Sequence, residues 1–143
     1  MAEFLNVKPI VDKGFFTIDF LAKRQLRKVA DYVIKESPVY TGAYILSHQI
    51  TDGNVNAFRS VSGRNRPVVR EGTKVSDHGT IGSNKAVEEQ ARAQLYADIK
   101  KLNIRKMKGI YLVNKAVGTS GREHSAQVEQ KHRVYSTVRK KFG

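Results

Sequence analysis

The sequence predicts an α+β domain: a small antiparallel sheet with a long amphipathic helix packed across it, a second helix and an extended basic C-terminal arm. Three observations lead there. Two stretches carry apolar residues at helical spacing, about four shorter ones alternate or are β-rich between turn residues, and their order is helix, hairpin, helix, strand, helix. With 143 residues, 40% hydrophobic and 27% charged, the chain has the mixture of one ordinary domain with a real core.

The first helix is expected over Ile18 to Glu36. Ile18, Leu21, Ala22, Leu26, Val29, Ala30 and Val33 make one apolar stripe, with Lys23, Arg24, Arg27, Lys28 and Asp31 opposite. Thr17 is placed to cap it and Asp19 meets the positive end of its dipole. Ser37-Pro38 stops it, because the residue before a proline is driven out of the helical region. From Tyr40 to Thr51, Tyr44, Leu46, His48 and Ile50 alternate with Ala43, Ile45, Ser47 and Gln49, which predicts a long strand. Asp52-Gly53-Asn54 is turn chemistry, and a return strand over Ala57 to Val61 completes a hairpin. Ser62, Gly63, Asn65 and Pro67, mixed with Arg59, Arg64, Arg66 and Arg70, predict a mobile basic loop over 59–74 with a short strand at Val68-Val69.

A second helix is expected from Ser83 or Asn84, with Glu88 and Glu89 in its first turns and Val87, Ala91, Leu95, Ile99 and Leu102 along one side. Gly109 to Asn114, apolar on both faces, reads as a buried strand. Val117 to Gly121 is a break. After it come a helix from about Arg122 to His132 and a basic tail holding Tyr135 and Phe142. The expected organisation is a core domain over 1–121, with 122–143 as a helix and tail that either belong to it or form an assembly arm.

The chain carries 26 Lys and Arg against 13 Asp and Glu, a net charge of +13. Such an excess attracts polyanions without choosing among nucleic acid, anionic membrane and acidic protein. From Lys100 to Gly143 there are twelve bases against two acids, Glu123 and Glu129, a net of +10. The excess is concentrated at the C-terminal end. Residues 1–13 contain Glu3 and Asp12 and no apolar run of signal length, and no later run is long enough to cross a bilayer, so a soluble, non-exported protein with no membrane partner is expected.

The chemistry-bearing residues point away from an enzyme. There is no cysteine, which removes disulfides and thiolate metal sites. His48 lies between Leu46 and Ile50, where a hydrogen-bonded structural histidine is expected; His124 and His132 are eight apart and lack the i, i+4 pairing of a zinc helix. Asp77-His78 precedes a helix that carries no second histidine, so a histidine-metal nuclease lacks a ligand. Gly79 to Lys85 has the wrong spacing for a phosphate loop. No catalytic residue, metal or cofactor is expected. Arg59, Arg64, Arg66 and Arg70 remain as planar donors suited to phosphate or carboxylate. Arg133, Tyr135, Arg139, Lys140, Lys141 and Phe142 form a basic aromatic arm.

One further pattern bears on function. A basic amphipathic helix that ends in Ser37-Pro38-Val39-Tyr40-Thr41-Gly42 and leads into a strand resembles the opening of the phage head-tail joining and tail-completion (neck) proteins. Gly109-Ile110-Tyr111-Leu112-Val113-Asn114 followed by Ala126-Gln127-Val128-Glu129 is similar to that family's strand ending in Asn and its Tyr-Ala-x-x-Val-Glu-Tyr-Gly helix. Ser125 stands here at the tyrosine, Gln130 at the second aromatic and Lys131 at the glycine. The resemblance implies a non-catalytic virion protein, made in the host cytoplasm, that forms a ring, often of six, around the genome channel. Its neighbours would be head-connector and tail-tube or terminator proteins, with non-specific genome contact. Within that reading Pro38, Thr41 and Gly42 are a structural turn: Pro38 ends the helix, Thr41 bonds locally and Gly42 permits the change of direction. The arginine loop would face the channel or an adjacent ring and the arm would clasp a neighbour. The alternative is a monomeric nucleic-acid-binding protein that uses the same loop and tail on phosphates.

Overall fold

A computed structural model describes residues 3–13, 19–39, 41–52, 58–66, 73–74, 85–103, 109–118, 120–122 and 124–142. Its elements, in chain order, are β1 (Glu3–Asn6), α1 (Lys8–Lys13), α2 (Asp19–Glu36), β2 (Pro38–Val39), α3 (Ala43–Leu46), β3 (His48–Thr51), β4 (Thr73–Lys74), α4 (Lys85–Lys101), β5 (Tyr111–Asn114), α5 (Ser125–His132) and α6 (Val134–Phe142). The fold is α+β. Three antiparallel strands lie in the order β1-β5-β3, and β2 pairs with β4 in a second, two-residue antiparallel ladder.

The helical periodicity of α2 is realised as Ala22, Leu26, Val29, Ala30, Val33 and Ile34 buried on one side, while Arg24, Lys28 and Lys35 stay exposed. In α4 the stripe Ala91, Leu95 and Ile99 is buried in the same way. The expectation of one long helix across the sheet needs correcting in its placement. The principal contacts of α2 are with α4 and α6; α4 meets β3 and α6 meets β1. Helices α4, α5 and α6 therefore all contact sheet strands, and α2 packs chiefly on α4 and α6.

Other expectations are also corrected. Ala43–Leu46 is a single helical turn instead of the first half of a strand, and only His48–Thr51 pairs with β5. All of Ala43 to His48 are buried, so alternation carries no inside-outside information there. Phe58 to Val61 form no ladder; side chains hold them instead, with Arg59 N donating to Gln49 Oε1 (2.8 Å) and Val61 N to Ser47 Oγ (2.9 Å). Part of the expected mobile loop is pinned, since Gly63 N donates to Val117 O (2.6 Å), Val117 N to Val61 O (3.0 Å) and Ser60 Oγ to Lys115 O (2.6 Å). The strand expected at Val68-Val69, the turn at Gly53-Asn54 and the cap at Thr17 lie outside the described residues.

The largest correction concerns the C-terminus, where the extended arm is in fact the helix α6, separated from α5 by Arg133 in the left-handed conformation (φ 52°). Val134, Tyr135 and Val138 are buried in the same hydrophobic cluster as Leu5, Leu26, Leu95 and Leu112, so α6 belongs to the core domain. The Glu129 carboxylate caps the new helix: Oε2 accepts from Tyr135 N and Oε1 from Ser136 N, each at 2.8 Å. The N-terminal strand and short helix, β1 and α1, were not foreseen from sequence.

Candidate functional site

The turn after α2 is built from both sides. Ser37, whose amide caps back to Ile34 O, is buried and donates its hydroxyl proton to Val33 O (2.6 Å). Gly42 adopts φ +88°, a conformation that favours glycine, and Thr41 Oγ1 accepts from Ala43 N (3.3 Å). Gly63 lies close by; a Cβ there would stand 3.0 Å from Thr41 Oγ1 and 3.3 Å from Val117 O. The turn is thus locked to the 61–63 segment as well as to its own helix.

Behind it lies a buried polar framework centred on His48. Because the Ser37 hydroxyl proton is committed to Val33, Ser37 Oγ accepts from His48 Nε2 (2.7 Å). Nδ1 is then the acceptor, for the Tyr135 hydroxyl (3.0 Å) and Asn114 Nδ2 (3.1 Å). Asn114 Nδ2 also donates to Tyr44 O (2.8 Å), and Asn114 Oδ1 accepts from Ala116 N (3.0 Å) and Ser125 Oγ (2.7 Å). Every partner matches a neutral imidazole protonated on Nε2. Burial, and secondarily the positive charge of Arg59, lower the His48 pKa from 6.5 to about 3. An imidazole so held is neither base nor metal ligand. It ties α2, β3, β5, α5 and α6 together.

In front of the framework is an open cleft of about 470 Å³. Pro38, Thr41, Gly42 and Tyr44 line one side, Val117 and Gly118 another, and His124, Gln127, Lys131 and His132 of the α5 region the third. None of its lining residues is acidic, among the described residues. Among the described residues no group of three or more His, Cys, Asp or Glu is arranged to hold a metal ion. His78 is outside them.

The residues singled out from sequence are dispersed. Arg59 forms an ion pair with Asp98 (Nη2 to Oδ1 2.9 Å, Nη1 to Oδ2 3.0 Å) and also donates to His48 O, so it serves the interior of the fold. Arg66 is half-buried, its Nε donating to Thr41 O (3.2 Å) across the turn. Arg64 is exposed, and Arg70 lies outside the described residues. Within the expected arm, Tyr135 is buried on His48. Phe142 packs edge-on against Tyr32 (5.7 Å between centroids), and the Lys141 ammonium lies 5.8 Å from the centre of the same Tyr32 ring. Arg133, Arg139 and Lys140 are exposed. Sequence reasoning missed Ser37, Asn114, Ser125 and Asp98 as framework residues. Asn114 and Ser37 did stand inside the motifs that carried the resemblance, whereas Asp98 had no local signal.

No family model matches the chain, and no curated protein or solved structure is significantly similar to it.

Proposed function

We propose that the chain is a structural, non-catalytic subunit of the neck of a tailed phage, a ring-forming tail-completion or head-tail joining protein. One observation carries the reading. The stretches 37–42 and 109–114, which carry the resemblance, are far apart in sequence and meet in space through His48. Ser37 bonds His48 and His48 bonds Asn114, which also accepts from Ser125, where the family pattern has a tyrosine. The matched stretches thus share one buried framework. Its role is to rigidify a scaffold, which is what a ring subunit requires of its interior.

The exposed bases are then left for partners: Arg139 and Lys140 on α6, with Arg64 beside the turn. The partners are further copies in the ring, the head-connector on one side, the tail-tube or terminator protein on the other, and the passing genome. The runner-up, a monomeric nucleic-acid-binding protein, loses two of its four loop arginines as free phosphate donors, because Arg59 and Arg66 bond within the chain.

The test is the mass of the purified protein in solution and its presence in purified particles. A discrete closed oligomer, or a monomer that enters particles in a fixed ring number, supports the reading. A monomer absent from particles that binds random DNA with steep salt dependence overturns it in favour of the runner-up. Reversing the exposed charges, Arg139→Glu with Lys140→Glu, is expected to leave the monomer folded and to reduce incorporation.

A further inference from the structure

The three-stranded sheet has two edges, β3 and β1, and the ladder registers show which groups each turns outward. In an antiparallel pair the residues that exchange hydrogen bonds alternate with those whose N–H and C=O point the other way. Val7 N donates to Ile110 O (2.7 Å), one step beyond Asn6↔Tyr111, so Leu5 faces β5 and the backbone groups of Phe4 and Asn6 point away from it. By the same alternation His48 and Ile50 turn outward from β3, and both are satisfied: His48 O accepts from Arg59 and Ile50 N donates to Asp98 Oδ2 (3.1 Å). No group bonds the outward backbone of Phe4 or Asn6, among the described residues.

The side chains at the β1 edge are suited to company. Phe4 is 51% exposed and meets Phe58 edge-on at 6.0 Å, and the Lys115 ammonium sits 4.5 Å from the Phe58 centroid. Open backbone groups beside an exposed aromatic ring are what an added strand takes up, and a natural edge left in this state is a liability unless something covers it.

We propose that the β1 edge is a strand-acceptor site for an extended segment of a partner protein, one that alternates apolar residues with carboxylates. The backbone of Phe4 and Asn6 supplies the hydrogen bonds, the Phe4 and Phe58 rings supply the apolar contact, and Lys115 supplies the charge. Charge chooses the occupant. The Lys115 ammonium beside the Phe58 ring favours a strand that brings carboxylates. The site does not depend on the ring reading, since it is read by a peptide and not by oligomer mass.

The test is titration of the isotope-labelled full chain at low salt with an acetylated, amidated peptide of alternating Glu and Val, followed through backbone amide signals. Saturable shifts at Phe4 and Asn6 are expected, weaker for the Lys-Val counterpart and lost for a peptide N-methylated on the face it would offer to β1. Phe4→Pro removes an outward N–H without touching the β1–β5 ladder, and the shift at Asn6 is expected to vanish. Should that variant not fold, the N-methylated peptide on the unaltered chain still decides. Absence of saturable β1 shifts, or equal shifts from the N-methylated peptide, overturns the proposal. So does a β1 shift that grows with protein concentration alone, which identifies a second copy as the occupant.

Discussion

At one edge of the sheet the outward His48 carbonyl and Ile50 amide meet the guanidinium of Arg59 and the carboxylate of Asp98; at the other, Phe4 and Asn6 present the same groups beside an exposed ring. The closed edge uses a charged pair in place of a peptide strand: the guanidinium acts as the N–H donor and the carboxylate as the C=O. Its members are half-buried or nearly buried, with side chains 23% and 10% exposed, so the pair is shielded from the solvent screening that makes surface ion pairs weak. An arginine in a basic loop is thus a structural strap. Charge density in a sequence says little about which cations are free, whereas hydrogen-bond accounting does.

The closed side can be broken in graded steps. Removing α6 from Val134 onward deletes Val134, Tyr135 and Val138 from the core, and the shortened chain is expected to lose cooperative unfolding in denaturant. That truncation cannot separate assembly from folding, which the exposed-charge reversals can. Next comes His48→Ala, expected to cost about 3 kcal/mol by urea unfolding, because it strands the Asn114 amide and the Tyr135 hydroxyl in the interior.

The same histidine makes stability depend on pH. Its folded pKa is lowered from 6.5 to about 3, so the unfolded chain takes up a proton between those values and the folded chain does not. The contribution of His48 is complete above pH 6.5 and declines as pH falls towards 3, by at most about 1.4 kcal/mol per pH unit. Comparing the unfolding free energies of the parent and His48→Gln between pH 7 and pH 4 isolates it: the gap is expected to narrow on acidification. A gap that stays constant removes the neutral, buried imidazole from the account.

Asp98→Ala leaves the Arg59 guanidinium and the Ile50 amide without their partner and is expected to destabilise by about 2 kcal/mol; a double-mutant cycle with Arg59→Ala recovers most of that as coupling. On the open side the smallest effect is expected. Phe4→Thr keeps a strand-forming residue at an exposed position, and its change in stability is expected within about 0.5 kcal/mol.

The parts of this arrangement that were legible in the sequence are those with a period. The helices α2 and α4 and the strand β5 showed themselves through stripes at Leu26, Val33, Leu95 and Ile99 and through the apolar run ending at Asn114. The turn at Thr41 and Gly42 was legible from its chemistry. Helix α6 was misread as an arm although Val134, Tyr135, Val138 and Phe142 have helical spacing, because Arg139, Lys140 and Lys141 dominate its composition. The strand β1 is too short to show alternation against background. The strap could not be read at all: Arg59 and Asp98 are separated by 39 positions, and only the fold joins them.

Amide hydrogen exchange on the dilute chain compares the two edges residue by residue. The Ile50 amide, held by Asp98, and the Val7 amide, held by Ile110, are expected to exchange slowly, while those of Phe4 and Asn6 exchange at nearly the rate of an unstructured peptide. Protection of Phe4 and Asn6 equal to that of Ile50, or an unprotected Ile50, would contradict the contrast between a strapped edge and an open one.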